Sequence, residues 1–290
     1  MERRTVPARL ATLFAAGAML ATTAWTGPGT PAAAAQVLRY GVPSPPTATY
    51  HSADTIVSIA SMPGGDLPTT ISTLATLVLE FATDPVGLRV TGTVANLDGS
   101  MSNPMMGSTP IPDLDVAGVL EFVMDSRGKA EITAMPEFPA MGMQMSYQSN
   151  MAQPFFPPLP DGNLEPGATW VDTTEVSPGM EADVVDAAMD ANSTTVSTYT
   201  FVGDTVVDGR MYLHIAVAGT SETEGTMDMG GMQITQNMTG SLTGLLLWDT
   251  ERGLVAFGHT SQAMEGTASM GAMGTFGSKV TVSSHFRLEN

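Results

Sequence analysis

The feature that most restricts how this chain can fold is a recurring pair of short alternating stretches joined by tight-turn residues. Leu77, Leu79 and Phe81 stand at a period of two, Asp84-Pro85-Val86-Gly87 is turn chemistry, and Leu88 to Val94 alternates back. The pattern recurs from Val116 to Val123, through Asp125-Ser126-Arg127-Gly128, to Ala130–Ala134. It recurs again from Thr198 to Val202, through Asp208-Gly209, to Met211–Val217, and from Gly244 to Trp248, through Asp249 to Gly253, to Leu254–Phe257. A period of two sends successive side chains to opposite faces of a strand, so each pair reads as a half-buried β-hairpin. Asp-Gly is the strongest of these turn signals. The fold class that follows is mainly β, an antiparallel curved sheet or partly closed barrel built from hairpins.

Helical periodicity is scarce. One short helix is expected near 180–191, because Pro178 to Asp190 holds good helix formers and Asn192 can end it. Asp183, Asp186 and Asp190 would share one face of it, as a solvated face or as carboxylates for a divalent ion. Leu79-x-Phe81-x-x-Asp84-x-x-Gly87 matches Leu120-x-Phe122-x-x-Asp125-x-x-Gly128, with Leu246-x-Trp248-Asp249 and Gly253 as a looser copy. The unequal spacing excludes a solenoid. Residues 36–290 read as a single β-rich domain, with two similar lobes joined near 152–168 as the alternative. Two proline-rich stretches, Val42–Pro46 and Pro154–Pro160, break the alternation and could link halves or cap a sheet edge.

The first 35 residues read as a signal peptide. Arg3, Arg4 and Arg9 form a basic region, Leu10 to Ala21 an apolar one, and Ala33-x-Ala35 a cleavage site before Gln36. The apolar core is too short for a permanent span, and no stretch after Gln36 is long and apolar enough to be a transmembrane helix. The expected location is extracytoplasmic, periplasmic or secreted. The chain of 290 residues carries 11 Lys and Arg against 29 Asp and Glu, a net charge of -18. Phosphate binding needs clustered cations, so a nucleic-acid partner is excluded. With no Cys, there is no disulfide scaffold, Cys-ligated zinc or thiol nucleophile, and stability must come from a packed core.

Methionine is the compositional oddity, with 22 in the chain. Met141, Met143 and Met145 lie at a period of two and would share one strand face. In Met227-Asp-Met229-Gly-Gly-Met232-Gln-Ile234, a two-residue Gly-Gly turn would pair Met229 with Met232 and Met227 with Ile234, all on one hairpin face. Met264, Met270 and Met273 form a third group, and Met101, Met105 and Met106 a fourth. Three readings stand side by side. Met is pliable and lines faces that fit variable apolar ligands, such as a lipid or other hydrophobic small molecule, which makes Met141, Met143, Met145, Met227, Met229 and Met232 candidate ligand contacts. Thioethers also suit Cu(I) or Ag(I), with Met227, Met229 and Met232 as the metal ligands. The third reading has Met filling irregular gaps in half-buried hairpins.

No catalytic residue emerges. His51, His214, His259 and His285 have no metal-ligand spacing, and no nucleophile elbow, P-loop or dinucleotide fingerprint is present. No motif implies a cofactor, and the expectation is a protein that is not an enzyme. Phe156-Pro-Pro-Leu-Pro-Asp-Gly162 followed by Pro166-Gly-Ala-Thr-Trp170, Tyr199-Thr-Phe-Val-Gly203 with Asp208-Gly-Arg210, and Trp248-Asp249 with Gly253-Leu-Val255 resemble elements of a family of exported bacterial β-rich proteins of unknown function. That resemblance implies a β fold and no activity. The layout has a fainter similarity to periplasmic lipoprotein-carrier folds, where a curved sheet shelters an apolar ligand. The expected function is a non-catalytic exported binding or carrier protein for an apolar ligand. Copper or silver binding and a structural or envelope-interaction role are the alternatives.

Overall fold

Turn chemistry decides where this chain reverses. Asp208 and Gly209 both take positive φ, 52° and 80°, the backbone that lets two strands meet through a two-residue loop. The computed structural model describes residues 37–62, 64–105, 107–111, 116–136, 154–176, 179–182, 187–229, 232–270 and 274–289. The expected signal peptide, Met106, Met141, Met143, Met145, Asp183, Asp186, the Gly230-Gly231 turn and Met273 lie outside them.

The described residues form β-strands and no helix. The strands are β1 (Thr47–Met62), β2 (Gly65–Asp84), β3 (Gly87–Asn103), β4 (Gly107–Pro110), β5 (Leu120–Met124), β6 (Ala130–Ala134), β7 (Thr169–Val176), β8 (Gly179–Ala182), β9 (Ala187–Val207), β10 (Arg210–Met229), β11 (Met232–Asp249), β12 (Leu254–Met270) and β13 (Thr275–Leu288). They make one antiparallel sheet in the order β6-β5-β3-β2-β1-β13-β12-β11-β10-β9-β7, with β4 on β3 and β8 on β9. Two meanders, one from each half of the chain, are joined where β1 pairs with β13. The sheet is curved and not closed.

All four hairpins read from the sequence are present, and in three of them the strands are far longer than the alternating stretches that announced them, whereas β5 and β6 have five residues each. β9 has 21 residues, and β2 and β10 have 20 each. A 20-residue strand extends roughly 65 Å, well beyond the usual strand. Each long strand divides into a base end, where the core sits, and a distal end.

The base is packed. Tyr50, Leu79, Val90, Leu120, Phe122, Ile215, Leu254 and Val255 are at most 1% exposed. The proline-rich stretch Pro154–Pro160 packs onto this base. Phe155, Phe156 and Leu159 insert into the core, with Phe156 edge-on to Tyr40, Phe81 and Phe122, and Phe155 against Tyr50 and Phe286. Its backbone is tied down on several sides. Leu159 N–H donates to the Arg127 carbonyl, Tyr40 Oη to the Pro157 carbonyl, Trp170 Nε1 to the Pro158 carbonyl, and Arg39 to the Pro160 carbonyl. The residues behind the family resemblance, Pro158 and Trp170, thus form a buckle across the base of the sheet.

Curvature comes from glycines on the inner face. A Cβ on Gly240 would stand 2.2 Å from the Ala263 carbonyl oxygen, and one on Gly266 would stand 1.9 Å from that of Asn237. Only a residue without a side chain allows neighbouring backbones this close, and the sheet curls there.

The helix expected near 180–191 is a correction. Met180 pairs with Met189 and Gly179 with Asp190 as strands β8 and β9, and β9 runs on along β10 as far as Met189↔Met227. Helix propensity is a weak preference, and a strand already growing along β10 overrides it. Of the carboxylates assigned to that helix face, Asp183 and Asp186 lie outside the described residues, and Asp190 stands in β9 opposite Gly179.

Candidate functional site

Backbone register carries the inner face of the base outward along every long strand. Tyr50 is on the core side of β1, so Ser52, Asp54, Ile56, Ser58 and Ala60 follow on that side. Ile56 stands level with Ile71 and Met101 on one flank, and with Val282, Gln262 and Leu242 on the other. One step outward, Ser58 is level with Val280, Met264, Gly240, Ser221 and Thr195. One step further, Ala60 is level with Ser278, Gly266, Met238, Thr223 and Ser193. The inner face of the distal end therefore holds Ile56, Ile71, Met101, Val280, Val282, Leu242, Met238 and Met264 as an apolar field across β1, β2, β3, β11, β12 and β13, interrupted by Ser58, Thr69, Gln262 and Ser278.

The opposite face at the same levels is largely polar. It carries Thr70 and Ser72, Thr281 and Lys279, Ser261 and Glu265, Thr239 and Ser241, and Thr220 and Glu222. Val57 and Ile59 on β1, Ala263 on β12 and the exposed Val196 on β9 are among the exceptions. A sheet with one polar face and one apolar face ordinarily buries the second against another layer. At the base, Phe155, Phe156 and Leu159 supply that layer. Among the described residues they belong to the base cluster, which does not include Ile56, Ile71, Val280 or Val282. These four remain half-buried.

The apolar field is bordered by hydroxyls on β9 and β10. Ser193 Oγ and Thr223 Oγ1 are 3.0 Å apart, and Thr195 Oγ1 and Ser221 Oγ 2.9 Å. Gln262 Nε2 donates to Ser221 Oγ at 2.8 Å, reaching from β12 to β10 over the bare Gly240 on β11. Ser221 is 1% exposed. One acid also lies on the inner face. Asp54, level with Thr73 and Ser284, has its carboxyl raised above the ordinary range by burial, opposed by a hydrogen bond from Ser284 and the charge of His285.

Register places the candidate methionines as follows. Met229 pairs with Met232 and Met227 with Ile234, as the Gly-Gly spacing predicts. Met141, Met143 and Met145 lie outside the described residues. Met101 and Met264 join the inner field, whereas Met105 sits in a turn and is 82% exposed. The sequence reading missed Ile56, Ile71, Val280, Val282, Leu242 and Met238. Their signal was parity carried past the recognised hairpins, and it is weak because small and hydroxylated residues separate them. His259 and His285 are opposite each other on the outer face. Among the described residues, no group of three or more His, Asp or Glu could hold a metal ion.

A separate pocket of about 500 Å³ opens at the base beside β7, lined by Arg127, Pro158 to Leu164, Trp170 and Asp172. Arg127 Nη1 lies 2.7 Å from Asp161, and Trp170 stacks on Tyr199 with ring centroids 5.5 Å apart. These contacts are part of the buckle.

No family model matches the chain, and no curated protein matches it. Among solved structures, a lipovitellin structure titled for lipid–protein interactions overlaps with a TM-score of 0.44 at 12% identity, covering 84% of this chain and 25% of that one. This chain thus spans about a quarter of the lipovitellin chain. Neisserial surface protein A overlaps with a TM-score of 0.24 at 9% identity, over 82% of this chain and 96% of that one. The outer membrane protein OpdK of Pseudomonas aeruginosa overlaps with a TM-score of 0.21 at 6% identity, over 84% and 99%. All three are loose superpositions at low identity.

Proposed function

We propose that this is an exported, non-catalytic binding or carrier protein that holds an apolar ligand, such as a lipid, against the inner face of the distal half of its sheet. The observation that carries the reading is the asymmetry of that half. Ile56, Ile71, Val280, Val282 and Met264 stand on the inner face, level with Ser, Thr, Lys and Glu on the outer face. Burying such a field against an acyl chain is favourable by roughly 25 cal/mol per Å² of apolar surface removed from water. Methionine adds pliability, so one surface fits chains of differing shape. The hydroxyls of Ser193, Thr195 and Thr223 border the field and supply hydrogen bonds for a polar end. Export rests on the leader-like residues 1–35 of the sequence.

The test is native mass spectrometry of the protein purified from its own compartment, paired with displacement of a fluorescent polyene fatty acid. A lipid-sized adduct lost on denaturation, with saturable displacement, is expected. A bare mass together with no saturable binding of the probe overturns the reading.

A further inference from the structure

Positive charge is confined almost wholly to one end of this sheet. Of the chain's 11 Lys and Arg, Arg3, Arg4 and Arg9 fall in the leader-like residues, and the others are all among the described residues. Apart from Lys279, these lie at the base, in or beside its turns and strand ends, as Arg89, Arg210 and Arg252 do. Lys279 is on the outer face of β13, 2.9 Å from Glu265 opposite it on β12. The inner face of the distal half therefore presents no Lys or Arg.

That face does carry carboxylates. Asp54 stands on β1, and burial raises its carboxyl above the ordinary range. Asp172 stands on β7 opposite Ser197, on the side where Trp170 stacks on Tyr199, and accepts from Thr174 Oγ1 at 3.2 Å. The two acids bracket strands β13 to β9 in the sheet order. The remaining polar groups between them are uncharged. Thr223 is directly opposite Met238 at the border of the apolar field, and its hydroxyl is 3.0 Å from that of Ser193. Such a pair spends one of its two protons on itself, which leaves one donor and several lone pairs for a ligand.

We infer that the ligand is an uncharged lipid, its polar end built of hydroxyl or ester oxygens and no phosphate, and that this end meets Ser193 and Thr223. The inference rests on the apolar-ligand reading and names the ligand's class. An anionic head pressed against this face would lose water with no cation to meet it and with carboxylates on both sides, which is costly. A net charge of -18 opposes its approach at longer range. A glycerol ester needs only hydrogen bonds, which hydroxyls both give and accept.

The test is displacement of a neutral probe, the methyl ester of the fluorescent polyene fatty acid, from the full purified chain. The competitors are monooleoylglycerol and monooleoylglycerol phosphate, which differ only in the phosphate. The neutral lipid is expected to displace the probe at a concentration about tenfold or more lower. The gap is expected to persist in about 0.5 M salt, where the Debye length of roughly 4 Å screens the net charge of the chain. Ser193→Ala/Thr223→Val removes both members of one hydroxyl pair, so neither is left orphaned. This variant is expected to bind monooleoylglycerol about tenfold more weakly and methyl oleate within about twofold of wild type, with unchanged circular dichroism. Equal displacement by the two competitors, a gap that vanishes in salt, or equal weakening toward monooleoylglycerol and methyl oleate overturns the inference and leaves the apolar-ligand reading standing. No saturable binding of either the polyene acid or its ester overturns that reading, and this inference with it.

Discussion

The Tyr50 hydroxyl donates to the Val255 carbonyl at 2.9 Å, tying β1 to β12 across the intervening β13. Both residues are 0% exposed. The bond spans the joint between the two meanders, so it adds to the β1–β13 ladder and to the Arg252 bond to the Thr47 carbonyl in fastening the halves of the chain. Tyr50→Phe keeps the ring but leaves the Val255 carbonyl without this donor. The expected cost is about 1–3 kcal/mol. Urea unfolding checks it, with a lowered midpoint and an unchanged slope.

Phe286 lies over Gly258 so closely that a Cβ there would stand 2.2 Å from the ring. The two are register partners on β13 and β12. Gly258→Ala is therefore expected to destabilise by about 1–3 kcal/mol through overpacking. Shrinking the ring relieves it, so in a double-mutant cycle Gly258→Ala costs much less in a Phe286→Leu background. Equal costs in both backgrounds would remove the steric explanation.

How much of this was legible follows from what each residue signals. Asp208-Gly209 announced its turn because a two-residue loop needs φ above zero, which Asp and Gly tolerate. The pairing of Met229 with Met232 followed from the Gly-Gly spacing alone. The distal strand ends were not legible as strands, because Ser193, Thr195, Gly219 and Ser221 carry little hydrophobic alternation. Residues 187–191 read as helix for the same reason, since local propensity cannot see β10 alongside. Phe155 and Phe156 read as part of a link or an edge cap because prolines flank them, and their place in the core depends on the curl of the sheet. Inner-face glycines such as Gly240 and Gly266 are indistinguishable in sequence from turn glycines. The apolar field needed both the register and the curl, so its membership was out of reach.

Asp54 gives a pH signature with a definite sign. Its folded pKa is raised, chiefly by burial, so the folded state holds its proton to higher pH than the unfolded state does. Its contribution is therefore most favourable at low pH and is lost as pH rises through the folded pKa. Asp54→Asn is expected to raise the melting temperature at pH 7, where the wild type carries a partly desolvated charge. The gain shrinks as pH falls through the raised folded pKa and levels off below the ordinary carboxylate value of about 3.9. Thermal unfolding across that range checks it, and a gain that grows toward acid pH contradicts the assignment.

Three tyrosines predict an alkaline limit. Burial raises the phenols of Tyr40, Tyr50 and Tyr199, and the buried hydroxyl of Tyr40 donates to the Pro157 carbonyl at 2.8 Å. The raised pKa means the unfolded state loses these protons first. Stability is thus unaffected by them below the ordinary phenol value of about 10 and falls steadily as pH rises above it. Tyr199→Phe should flatten part of that fall, measured by urea titrations at successive alkaline pH values.

The two faces of the distal sheet should respond oppositely to charge. Val282 and Thr281 are neighbours on β13, the first level with Ile56 on the inner face and the second level with Val57 on the outer. Val282→Lys places an ammonium in the apolar field, where an acyl chain would have to lie against it. Burying an unpaired charge is so costly that ligand or lysine must leave the field. Fatty-acid binding by Val282→Lys is expected to weaken by about tenfold or more, while Thr281→Lys adds its charge beside solvent and leaves affinity within about twofold. Both variants should show wild-type circular dichroism, because among the described residues Val282 is outside the packed cluster that fixes the base. If Thr281→Lys weakens binding as much as Val282→Lys, net charge and not the inner face governs the ligand.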